Sequence, residues 1–80
     1  MDLLRAFVSV AQLGSFTKAG ELLGRSQPAI SLQMQRLEEL VDEKLLMRNG
    51  KNLELSEAGE NLYGYANQIL SLNDLAVSQL

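Results

Sequence analysis

The 80 residues contain no cysteine, no histidine and no tryptophan, and a single proline. Without cysteine there is no disulfide framework and no thiolate metal site. Without histidine a zinc site would need carboxylates alone, and the side chain used most often in acid–base catalysis is missing. The carboxylates are scattered along the chain, and no glycine-rich phosphate loop follows a strand. An enzyme is therefore not expected, nor is any cofactor or metal. Apolar runs are only a few residues long, and no basic stretch precedes an apolar core at the N-terminus. Neither a membrane span nor a signal peptide is expected, and the default address is the cytoplasm.

What is present suits a small folded domain. Hydrophobic residues make up 46% of the chain, enough for one modest core and too few residues for a second domain. The net charge of −3 has the wrong sign for a protein that neutralises phosphates. Its distribution matters more than its sum. Lys18, Arg25, Arg36, Lys44, Arg48 and Lys51 all fall between Thr17 and Lys51, leaving only Arg5 outside, whereas Glu54, Glu57, Glu60 and Asp74 come later. A local basic surface fits within an acidic whole, with an ordinary solvated face as the plainer reading.

Leu3, Leu4, Phe7, Val8, Val10 and Ala11 recur at helical spacing up to Gly14, which predicts a first helix. Ser15 or Thr17 can cap a second, short helix carrying Phe16, Ala19, Leu22 and Leu23, with Gly24-Arg25 as the turn after it. Ser26 is placed to cap a third helix reaching about Val41. Pro28 falls in its first turn, where the missing N–H breaks no hydrogen bond. At about 100° per residue, Ile30, Met34, Leu37 and Val41 share one sector and are expected in the core.

The opposite sector of the third helix holds Pro28, Leu32, Gln35, Arg36 and Glu39, flanked by Gln27, Ser31 and Gln33. Glutamine can pair with adenine and arginine with guanine, while small apolar groups touch the thymine methyl, so this face has the chemistry of a major-groove reader. Every surface helix has a polar face; Leu32, centred on this one with no core to bury it, suggests contact with a partner. Beyond it, Leu45 to Arg48 and Leu53 to Leu55 flank Asn49-Gly50-Lys51-Asn52 and predict a β-hairpin. A hairpin following two docked helices is a wing, and Arg48 and Lys51 on it could reach phosphates or a narrow minor groove.

Ser56 is expected to cap a long last helix, with Glu57 and Glu60 complementing its dipole. Along it, Leu62, Tyr65, Ile69, Leu72 and Ala76 follow alternating spacings of three and four. Leu70, Leu75 and Val77 lie off that seam, so the helix is apolar on more than one face. One side can cover the chain's own core; the other predicts a homodimer, and hence a pseudo-palindromic DNA site. The expected organisation is a winged helix-turn-helix over residues 1–55, a three-helix core plus a hairpin in a mainly α fold, and a linker and dimerisation helix over 56–80. Ending on an uncapped helix at Leu80, the chain reads as part of a longer protein.

These motifs together resemble the N-terminal DNA-binding domain of LysR-type bacterial transcriptional regulators. The resemblance covers nearly the whole chain: Gly14 to Ala19 (GSFTKA), Ser26 to Ser31 (SQPAIS), Arg36 to Glu38 (RLE), Leu45 to Arg48 (LLMR) and Leu55 to Gly59 (LSEAG). It implies sequence-specific binding of double-stranded DNA. Gln27, Pro28, Ala29 and Leu32 would meet base edges, Thr17, Lys18, Ser31, Gln33 and Arg36 the backbone, and Arg48 and Lys51 would sit on the wing. Leu32 stands where many members carry arginine or another polar residue, so a base contact is lost or is replaced by an apolar one to a thymine methyl. Gly20 replaces a usual alanine, at about 1 kcal/mol of helix propensity and with no change of role. The resemblance also implies a small-molecule effector and tetramer assembly through a further C-terminal domain for which this chain has no residues. The acidic balance and Leu32 keep a second reading open, that of a protein-interaction or dimerisation module that does not bind DNA.

Overall fold

The computed structural model describes residues 2–50 and 52–79, and contains four helices and one hairpin in the order α1 (Asp2–Leu13), α2 (Phe16–Leu23), α3 (Gln27–Val41), β1 (Leu46–Asn49), β2 (Asn52–Leu55) and α4 (Glu57–Ser78). Helices α2, α3 and α4 each start where a serine can satisfy their free N–H groups. Ser15 Oγ accepts from Lys18 N at 3.1 Å, Ser26 Oγ from Ala29 N at 3.3 Å and Ser56 Oγ from Gly59 N at 2.9 Å. Ser15, rather than Thr17, is thus the cap of α2. Gly24 ends α2 in the left-handed region, and Asp42 ends α3 the same way at φ 55°.

The core gathers one stripe from each helix: Ala6, Phe7 and Val10 from α1, Ala19 from α2, Ile30, Met34 and Leu37 from α3, and Ala66 and Leu70 from α4, closed by Leu45 and Leu46. Val41 does not belong to it. Although it shares the angular sector of Ile30, it is 39% exposed, because α3 stops there and the neighbouring elements no longer reach over it.

Gly20 also departs from expectation. It is buried, and a Cβ built on it would lie 2.5 Å from the Arg25 carbonyl oxygen, so the α2–α3 turn closes directly over it. The same turn is tied by Arg25 N donating to Gly20 O at 2.8 Å. The helix propensity given up at Gly20 is therefore the condition for a tight turn, and alanine there would require the backbone to move apart.

The antiparallel hairpin pairs Leu46 with Leu55, Met47 with Glu54, Arg48 with Leu53 and Asn49 with Asn52. Helix α4 begins against its base. Ser56 N donates to Leu45 O at 2.9 Å, Ser56 Oγ donates to Lys44 O, and buried Gly59 lies so close to the Leu45 carbonyl that no side chain fits. Tyr63 then meets Phe7 edge to face, ring centroids 6.5 Å apart, and Asp74 receives a 2.9 Å hydrogen bond from Arg5. Among the described residues no helix is long and apolar enough to cross a membrane.

Candidate nucleic-acid interface

The turn between α2 and α3 sets the interface. With Ile30, Met34 and Leu37 buried, helical geometry turns Pro28, Leu32, Gln35 and Glu39 to the outside, where all four are exposed. Gln27 and Ser31, one turn apart, are joined by a 2.7 Å hydrogen bond from Gln27 Nε2 to Ser31 Oγ. That bond holds two polar side chains on the flank of α3 that faces the hairpin. Ala29 is half-buried, and Leu32 is 46% exposed at the centre of the bare face.

The other expected contact residues take up different positions. Thr17 and Lys18 are exposed in the first turn of α2. Arg48, on β1, reaches back towards the helices and lines one cleft with Gly14, Ser15, Phe16, Thr17 and Gln27. Arg36 lies on the other flank of α3, beside Leu3, Glu39 and Leu40. Gln33 is half-buried, with its side-chain carbonyl turned inward and unpartnered. It is thus set back from the bare face. Lys51, expected on the wing, lies outside the described residues.

Charge pairing divides the cations into two groups. Arg5 pairs with Asp74 at 2.9 Å, Arg25 with Asp2 at 3.8 Å and Lys44 with Glu38 at 3.9 Å. Lys18, Arg36 and Arg48 form no ion pair among the described residues; of these, Arg36 lies on α3 and Arg48 shares a cleft with Gln27. An acidic chain can in this way present locally uncompensated positive charge. Asp74, the hydrogen-bond acceptor of Arg5, is held below the usual carboxylate range by that bond.

Two contributors were not foreseen in the sequence. Glu38 Oε2 accepts from the backbone N–H of Leu45 at 2.8 Å and of Leu46 at 3.2 Å, fixing the base of the hairpin to α3. A carboxylate in the last turns of a helix opposes the helix dipole, and this was the available signal that Glu38 serves a tertiary contact. Phe16, expected only as a residue of the second helix, has the Arg48 guanidinium 5.9 Å from its ring centroid.

A short helix docked behind a second helix whose polar face is bare, with a hairpin at its side, defines a winged helix-turn-helix domain. Residues 1–60 match the family described as "Bacterial regulatory helix-turn-helix protein, lysR family", and the chain belongs to that family. It is 48% identical over 80 residues to the HTH-type transcriptional regulator PecT of Dickeya dadantii, covering all of this chain and 25% of PecT. It is 41% identical over 80 residues to the HTH-type transcriptional regulator DgdR of Burkholderia cepacia, covering all of this chain and 27% of that protein. The chain thus spans about a quarter of the length of these relatives, both of them transcriptional regulators. Among solved structures, the BenM_DBD/benA site 1 DNA complex superposes with a TM-score of 0.92 at 40% identity, over 98% of this chain and 88% of the other. The CbnR_DBD-DNA complex gives 0.90 at 35% identity, over 98% and 90%.

Proposed function

We propose that this domain binds double-stranded DNA sequence-specifically, as the DNA-binding part of a LysR-type transcriptional regulator. The observation that carries the reading is the set of cations without carboxylate partners among the described residues: Arg36 on α3, Arg48 in the cleft beside Gln27, and Lys18 exposed in the first turn of α2. Helix α3 enters the major groove. Gln27, Pro28, Ala29 and Leu32 face base edges, and Thr17, Lys18, Ser31, Gln33 and Arg36 hold the backbone. The wing, with Arg48 and Lys51, lies on the backbone or in the adjacent minor groove. No step of this function is enzymatic, and it needs no metal or cofactor.

Residues 1–55 form the reading unit and 56–80 the linker and dimerisation helix. Tyr65, Ile69, Leu72 and Ala76 are exposed along one stripe of α4, while Leu62, at the head of the stripe, is half-buried against the chain's own core. A homodimer through that stripe presents two α3 helices to a pseudo-palindromic site. Tetramer assembly and response to a small-molecule effector are not assigned to these residues, and the working place is the cytoplasm, where the DNA is.

The test is selection of bound duplexes from a random-sequence pool at moderate salt. Enrichment of an inverted repeat, with binding that weakens steeply as salt rises, is the expected result. A folded dimer that enriches no sequence at any salt concentration points instead to a protein-interaction module, the reading that the net charge of −3 favours.

A further inference from the structure

We infer that Phe16 is a positioning residue for DNA binding, its ring holding the wing's Arg48 guanidinium beside α3. The inference rests on the DNA-binding reading above and concerns a residue otherwise explained by packing alone. Arg48 is exposed on a two-stranded hairpin, the kind of element that has little stability of its own. A long arginine there would ordinarily sample many rotamers, and freezing one on binding weakens the complex. No carboxylate among the described residues holds it. Alternation along the strands places Arg48 and its cross-strand partner Leu53 on one face, and Met47 and Glu54 on the other. Glu54 accepts instead from Asn49 Nδ2 at 3.3 Å, and Glu38 is occupied by the hairpin's backbone N–H groups and by Lys44.

What Arg48 meets is the Phe16 ring, 5.9 Å from its Cζ and within the range of a cation–π contact. Phe16 is half-buried and packed on the core, so it is a fixed platform at the first residue of α2. Leu46, Leu53 and Ser31 line the cleft that ring and guanidinium share. A guanidinium is flat and weakly hydrated, so it can stack on a ring and still offer its N–H edge to a phosphate oxygen. The ring therefore sets the distance between the wing's charge and α3 before DNA arrives.

The test is a double-mutant cycle on the duplex enriched by selection, with Phe16→Leu, Arg48→Ala and the double variant checked for folding by thermal melting. Phe16→Leu is expected to weaken binding roughly two- to five-fold per wing, the size of an exposed cation–π contact. It should add no further loss once Arg48 is alanine. An equal loss from Phe16→Leu in the Arg48→Ala background overturns the inference, because the effect would then run through packing. Arg48→Lys, an exposed change with no risk to the core, keeps the charge without the flat stacking group; binding equal to wild type likewise overturns it. In the DNA-free protein the Arg48 δ-protons should resonate upfield under the Phe16 ring current and return towards ordinary values in Phe16→Leu. Absence of that shift overturns the positioning role whether or not any DNA binds. Its presence without binding overturns only the DNA-binding reading.

Discussion

Helices α3 and α4 have the same plan and opposite chemistry. Each buries one stripe in the common core, Ile30, Met34 and Leu37 in the first, Gly59, Ala66 and Leu70 in the second, and each leaves a face bare. The bare face of α3 is mostly polar, amide and guanidinium with the Glu39 carboxylate among them, and has Leu32 at its centre and exposed Leu40 towards its end. That of α4 carries Tyr65 at 66% and Leu72 at 67% exposure, and Leu75 and Val77, off that seam, are exposed as well. A mostly polar face bearing the unpaired Arg36 is stable in water and waits for phosphates, whereas an apolar face of that extent is stable only when covered. On the proposed reading, the difference teaches that one small domain takes two partners of unlike chemistry, nucleic acid on α3 and a second copy of itself on α4.

The comparison breaks most severely where the two helices are alike. Ile30→Ala empties a fully buried position and should lower stability by about 2–5 kcal/mol in denaturant unfolding, whereas Leu72→Ala on the bare side of α4 should change the monomer by less than about 0.5 kcal/mol. Next comes Leu72→Glu, which places a charge in the proposed dimer seam. Light scattering should then give a mass near 8.8 kDa instead of twice that, and DNA affinity should fall by about a hundredfold as two linked half-sites become one. A mass of two chains would remove α4 from the comparison.

On α3 the effects are smaller and separable. Arg36→Ala should lower the slope of log affinity against log salt by about 0.9 for each phosphate that Arg36 neutralises, while Gln27→Ala should relax base preference and leave the slope alone. A common effect of both changes would dissolve the division between backbone and base contacts. Leu32 sharpens the contrast further, being the apolar residue at the centre of the polar face. Replacing thymine by uracil at its target removes a single methyl and should weaken binding about fourfold, and Leu32→Ala should abolish that discrimination. The smallest effect concerns the tie between α4 and α1. The Arg5 hydrogen bond depresses the Asp74 pKa, so its contribution to stability is present above the ordinary aspartate value of 3.8 and is lost as pH falls through the depressed one. Asp74→Asn should therefore narrow the gap between neutral and acid stability slightly, read in unfolding curves across that range.

Much of this arrangement was legible because it rests on local signals. Ser26 with Pro28, Ser56 with Glu57 and Glu60, and Asn49-Gly50 declare their caps and turn within a few residues, and the helices and hairpin fall where those signals stand. The exposure of Leu32 also followed from angular position alone. Val41 did not, because periodicity assigns a sector but cannot say how far neighbouring elements extend. The half-burial of Gln33, with its side-chain carbonyl turned inward, was likewise not legible, because packing between elements places a side chain in a way that no spacing rule describes.

The sequence by itself therefore determined the elements, their order and the family to which the chain belongs, since caps, turns and periodicity act over a few residues and motif order is written in the chain. Tertiary structure alone decided which distant groups meet. Glu38 on the N–H groups of Leu45 and Leu46, Gly59 under the Leu45 carbonyl, Gly20 against Arg25 and the Phe16 ring beneath Arg48 all depend on how packed elements approach one another. The partition of charge was settled the same way. Whether an arginine meets an aspartate or stays free for a phosphate depends on distances of a few ångströms between helices, and composition carries no record of them.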